Sequence, residues 1–241
     1  MHRICSVAVL ALIGLTWFLS GVGKPCHAAP APNAETAFVE FRQLAVMPFF
    51  AGSRRPAADE SVDRTLSCPV GELCADASEI APGAARSVAR MVTDDLRMKF
   101  GAQVVSQERS QDAYAEALID ESSQTPRRLA QELGRRLDAD YVVVGTVWRF
   151  RDRGQMPGVP DSPASVAFAL YLVDVKTGRR VWRGVFDETQ RPLTDNLLQA
   201  RQSLKMGVKW LSARELARFG VQQVMKSFPS EEDLRIPVPV Q

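Results

Sequence analysis

The sequence predicts an α/β (α+β) fold, a single mixed β-sheet with helices packed on it, and three observations carry that prediction. Residues 139–187 read as three successive strands. The segments on either side repeat their apolar residues every three or four positions, the spacing of one helix face. With 46% apolar and 24% charged residues among 241, the chain has the composition of a globular protein and the length of one ordinary domain.

The first strand is Leu44-Ala45-Val46-Met47-Pro48-Phe49-Phe50. Pro48 has no amide donor, which places that end of the strand at a sheet edge or at the strand's exit. Residues 51–81 read as a long irregular insertion, rich in Arg, Pro, Asp and Ser. Pro82 then opens a helix that turns Val88, Val92, Leu96 and Phe100 inward and stops at Gly101. Ala102–Ser106 reads as a short strand, and Ser110–Asp120 as a helix with Tyr114, Ala115 and Leu118 inward. Thr125 caps the next helix, Pro126 takes its first position, and Leu129, Leu133 and Leu137 form its buried stripe.

The three central strands follow. Tyr141–Trp148 is β-branched and aromatic with apolar residues on both faces, as a central strand requires. Val166–Val173 alternates with period two, Lys176-Thr177-Gly178 turns, and Val181–Phe186 returns. Thr194 caps a helix carrying Leu197, Leu198 and Leu204. Ser212 with Glu215 is a capping box for a last helix, whose Leu216, Phe219, Val224 and Phe228 face inward until Pro229 ends it.

The N-terminus carries a compartment signal. His2 and Arg3 precede an apolar run from Ile4 to Leu19, and small residues surround Cys26-His27-Ala28-Ala29, the order of a secretory signal. The expected organisation is a signal peptide at 1–28, a flexible lead at 29–39, one α/β domain at 40–228 and a flexible tail at 229–241. Acylation of Cys26 is the competing reading, although Lys24-Pro25 departs from the small residues expected before an acylated cysteine. Cleavage after Ala28 removes Arg3 and Lys24 and no acid, so the basic residues fall from 30 to match the 28 acidic ones. It also removes both histidines, and with them Ser-His-Asp, Cys-His and His-metal chemistry. In an oxidising compartment Cys68 and Cys74, six residues apart inside the 51–81 insertion, read as a local disulfide.

No catalytic, cofactor or metal constellation emerges from the residues, so the chain is expected to be no enzyme and to carry no cofactor. Asp187-Glu188 reads as solvated turn acids and as a candidate interface, and Asp94-Asp95 has the same solvated character on its helix. Trp148 and Trp182 read as sheet-packing residues, and Trp210 as an exposed candidate interface anchor. The Arg pairs, from Arg54-Arg55 to Arg179-Arg180, are interspersed with acids, which argues against a nucleic-acid partner.

Ala45-Val46-Met47-Pro48-Phe49, Ala139-Asp140-Tyr141 with Val142–Gly145, and Leu172-Val173-Asp174-Val175-Lys176-Thr177-Gly178 leading to Val181-Trp182 together form a pattern. It resembles the envelope domain shared by the curli-secretion channel subunit CsgG, the penicillin-binding-protein activator LpoB and the N-terminal domain of TolB. The resemblance spans roughly residues 40–228 and rests on scaffold motifs. It implies a non-enzymatic interaction or assembly module of the cell envelope, periplasmic or outer-membrane associated, with an envelope protein as partner. Self-association and membrane attachment through the N-terminus are compatible with it. The alternative reading is a periplasmic binder of a small molecule or glycan in a pocket between sheet and helices.

Overall fold

The computed structural model describes residues 36–52, 64–74, 77, 80–117, 124–156, 158–160, 162–190 and 211–239. Its strands are β1 (Thr36–Val39), β2 (Leu44–Val46), β3 (Phe50–Ala51), β4 (Tyr141–Arg151), β5 (Ser165–Asp174), β6 (Arg180–Thr189) and β7 (Ile236–Pro239). The helices are α1 (Arg64–Ser67), α2 (Val70–Leu73), α3 (Ala84–Phe100), α4 (Gln107–Ala117), α5 (Pro126–Leu137) and α6 (Ala213–Met225). A mixed five-stranded sheet with helices on both faces is the α/β fold that the sequence predicts.

β4 is the middle of that sheet. β5 pairs with it antiparallel along its length, while β2 and β3 lie in line on its other edge, parallel to it. Pro48 sits between these two short strands. Met47 N still donates to Val143 O and Gly52 N to Val147 O, so the ladder is interrupted only where the missing amide requires it. Phe49 swings over Gly145, where an added Cβ would meet the ring at 2.5 Å. β6 pairs antiparallel with β5 and is the last strand of the sheet among the described residues.

Alternation divides the core into two layers. Val143, Val147, Phe168, Leu170, Leu172 and Phe186 face α3 and α6, whereas Val142, Val144, Trp148, Ala169, Tyr171 and Val173 face α5 with Leu66 of α1 and Val70 of α2. The helix signals act as expected. Thr125 accepts from Arg128 N, Pro126 opens α5, and the reciprocal Ser212–Glu215 capping box starts α6. Asp152, just beyond β4, adds a carboxylate acceptor for Ala213 N at 2.6 Å. Glycines set the approach of α6: a Cβ on Gly220 would lie 2.5 Å from Phe186, and one on Gly184 of β6 would lie 2.2 Å from Val224.

Several segments differ from expectation. Ala102–Ser106 supplies only a single bridge, Val104 to Leu44, after a short 3-10 turn at Gly101–Gln103. The 51–81 insertion contains α1 and α2, which bury Leu66, Val70 and Leu73. The described parts of the expected flexible lead and tail are packed: β1 and β7 form an antiparallel ribbon, Leu234 is fully buried, and Tyr141 Oη donates to its carbonyl at 3.2 Å. Lys99 Nζ donates to Phe228 O at 2.8 Å, and burial lowers the pKa of that ammonium. Leu118, the helix expected after Thr194, and the N-terminal signal lie outside the described residues.

Asp95 also differs, whereas Asp94 is exposed as expected. The Asp95 carboxylate is 9% exposed and 3.6 Å from Arg218 of α6. Burial raises its pKa, Arg218 opposes that shift, and Asp94 adds to it. A carboxyl whose folded pKa lies above its unfolded one contributes most stability at low pH and loses that contribution as pH rises through the folded value. Asp95→Asn is therefore expected to raise the melting temperature at neutral pH and to change it little at about pH 3, where the acid is protonated anyway. Equal effects at both pH values would refute this. Gly220→Ala is expected to cost about 1–3 kcal/mol in denaturant unfolding, because Phe186 has to move.

Candidate interaction surface

The Ala139-Asp140 and Asp174–Gly178 motifs prove to be joints between elements. Asp138 ends α5 in the left-handed conformation, and Ala139 N donates back to Gly134 O at 2.9 Å. Asp140 then receives the Arg42 amide at 2.6 Å, and Arg42 reaches both Asp138 and Asp140 with its guanidinium. These contacts fix where β2 begins beside β4. In the second motif Asp174 accepts from Thr177 N at 2.7 Å and from Gly178 N at 2.8 Å, with Gly178 at positive φ. Arg127 donates to the Gly178 carbonyl and Gln131 to Val175 O, which ties this turn to α5. Both motifs build the scaffold, and neither gathers reactive groups.

The surface left for contacts lies on β6. Its even-numbered residues Trp182, Gly184 and Phe186 pack under α6, with Trp182 edge-on to Phe228 at 4.8 Å. The opposite face carries Arg183, Val185 and Asp187 in register with Tyr171, Ala169 and Ala167. There Val185 is 42% exposed, and Val181, at the β-bulge near the start of the strand, is 44% exposed. Two apolar side chains are thus left in water on a strand whose outer edge pairs with no described strand.

Asp187 is not a solvated turn acid. It lies within β6 and pairs with Arg149 of β4 across Ala167, whose methyl leaves the guanidinium room to cross β5. The two side chains are 21% and 19% exposed. Glu188 is exposed on β6, Trp148 is buried under α5, and Trp210 lies outside the described residues. Strand alternation carried the signal for the ion pair, since Arg183, Val185 and Asp187 share a face, but the partner Arg149 depends on the register of two other strands.

The Cys68–Cys74 part of the insertion sits far from β6. α2 packs against β3, so Cys68 and Cys74 lie beyond the opposite edge of the sheet from β6. The expected disulfide between them is not formed in this structure. The Cys68 thiol instead donates to Glu72 Oε2 at 3.0 Å. A cleft of about 690 Å³ opens between α3 and α4, lined by Pro48, Phe49, Arg86, Arg90 and Glu108 among others. Among the described residues no three His, Cys, Asp or Glu side chains converge as a metal site, and no helix is long and apolar enough to cross a membrane.

No family model matches the chain, and no curated protein matches it in sequence. Solved structures do. The PelC dodecamer from Paraburkholderia phytofirmans is 17% identical over 78% of this chain and 88% of that one, with a TM-score of 0.44. Lipoprotein GNA1162 from Neisseria meningitidis is 14% identical over 78% and 99%, at 0.38. The LpoB C-terminal domain from Salmonella enterica is 16% identical over 63% and 86%, at 0.35. LpoB domains, one of the groups whose motifs the chain resembles, are thus among its structural neighbours. Identities this low leave the function to the residues of this chain.

The Arg149–Asp187 pair yields a direct test. Arg149→Leu and Asp187→Leu are each expected to destabilise by about 1–3 kcal/mol, since each leaves a largely buried charge without this partner. The double variant is expected to cost clearly less than the two singles together; additive effects in a double-mutant cycle would show that the pair is not coupled.

Proposed function

We propose that this chain is an exported, non-enzymatic interaction module of the cell envelope and that β6 is its contact strand. The observation that carries the reading is the asymmetry of β6, with one face locked under α6 and the other leaving Val181 and Val185 in water. Exposed apolar residues on a rigid strand are suited to being covered by protein. The envelope setting is supported by the Arg3–Ala29 signal pattern and by the resemblance in the Ala139-Asp140 and Asp174–Gly178 motifs. In this reading the mature chain starts at Ala29 in the periplasm, unless Cys26 is acylated and holds it at a membrane.

A second reading has its own observation. Arg86 and Arg90 line the α3–α4 cleft, a setting for an anionic small molecule or glycan.

The experiment is site-specific photocrosslinking from position 185 in living cells, followed by mass spectrometry of the adducts and of the mature N-terminus. A reproducible protein adduct at 185, absent from a probe at Arg90, is the expected result. No adduct at 185, together with a thermal shift on adding anionic sugars that Arg86→Ala and Arg90→Ala abolish, would replace the module by the binder.

A further inference from the structure

β6 is self-complementary in charge. Arg180 and Arg183 occupy its first half, and Asp187 and Glu188 its second. When such a strand pairs antiparallel with a copy of itself, the basic half of each faces the acidic half of the other. We propose that β6 joins two copies of this chain edge to edge, about a two-fold axis at Val185. This rests on the reading of β6 as the contact strand and names its occupant.

The register follows from the faces. A two-fold axis perpendicular to the sheet keeps the open face of each copy on the same side, so only residues of like parity stand opposite one another. Centred on Val185, the pairing sets Val185 against its own counterpart and each Arg183 against the Asp187 of the other copy, all on the face that α6 leaves open. Moving the centre to position 183 or 187 sets Arg183 or Asp187 against itself, and like charges directly opposite are destabilising. A centre at 184 or 186 sets Arg183 or Asp187 against Val185 instead, so of these registers only the one centred on Val185 matches Arg183 with Asp187. Asp187, which pairs with Arg149 of its own chain, would then also face Arg183 of the other copy. Val185 would leave water, and β6 would gain the edge partner that it lacks among the described strands.

The test combines disulfide trapping with sedimentation of the full chain. Val185→Cys, with the other cysteines changed to Ser, is expected to oxidise to a disulfide-linked dimer, because residues facing each other across the axis have Cβ atoms within disulfide reach. Val181→Cys, displaced from the axis, is expected not to do so. Arg183→Glu is expected to weaken self-association by about tenfold or more at low salt, with the loss relieved as salt rises, whereas Arg180→Glu, which faces no acid in this register, should have a smaller effect. Circular dichroism melting confirms that each variant is folded. A folded chain that stays monomeric at all concentrations would overturn the proposal. So would equal trapping at 181 and 185, or a Val185→Cys thiol shielded within the monomer by residues 191–210. In-cell adducts at 185 made only to other proteins would sink the self-pairing and leave the interaction-module reading standing.

Discussion

The fold depends on β4 being satisfied on four sides at once. Its backbone is bonded on one edge to β5 and on the other to β2, β3 and Ala81, whose amide donates to Phe150 O at 3.0 Å. Both of its faces are buried, one under α3 and the other under α5. A strand in that position has no water to complete its hydrogen bonds, so every interruption has to be matched locally. Pro48 illustrates this. Its missing amide falls in the gap between β2 and β3, and Gly145 across from it leaves room for the Phe49 ring.

The Ala139-Asp140 and Asp174–Gly178 motifs supply the boundary conditions for that strand. Asp140 starts β4 in register with β2 by holding the amide of Arg42, and Val175 N donates to the Asp140 carbonyl at 2.9 Å, which closes the start of β4 onto the end of β5. Asp174 and Gly178 then form the turn that sends the chain into β6, and α5 clamps this turn through Arg127 and Gln131. These residues are polar and surface-near, so they resemble a functional set in sequence. Apart from the Arg42 guanidinium on Asp138 and Asp140, the hydrogen bonds described for them go to backbone, and their role is geometric.

The same scaffold makes the two sheet edges unequal. On the β2 side the edge is blunted by the Val104 bridge, by Val105 N bonded to Leu44 O, and by α2 packed beside β3. On the β6 side the strand is long, one face is fixed by the Gly184–Val224 and Gly220–Phe186 contacts, and the other is open. The Arg149–Asp187 pair braces the end of this strand against β4. A strand held flat from behind and braced at one end is presented to a partner in a single conformation, which lowers the ordering cost of association.

The sequence by itself determined the class of fold, the helices α3, α5 and α6, the N-caps of α5 and α6, and the strands β4, β5 and β6, because these are set by local periodicity and by capping groups within a few residues. It could not determine the short α1 and α2, the reduction of Ala102–Ser106 to one bridge, or the burial of Leu234. Each of these depends on what packs against it from a distant part of the chain. The same holds for the contact strand. Asp187 and Val185 were visible as residues, but whether the acid is solvated or paired and whether the valine is covered or exposed was decided by the β4–β5–β6 registers and by α6 lying on one face only. Sequence reports the alternation of a strand, whereas which face meets a helix and which meets water is a property of the assembled layers.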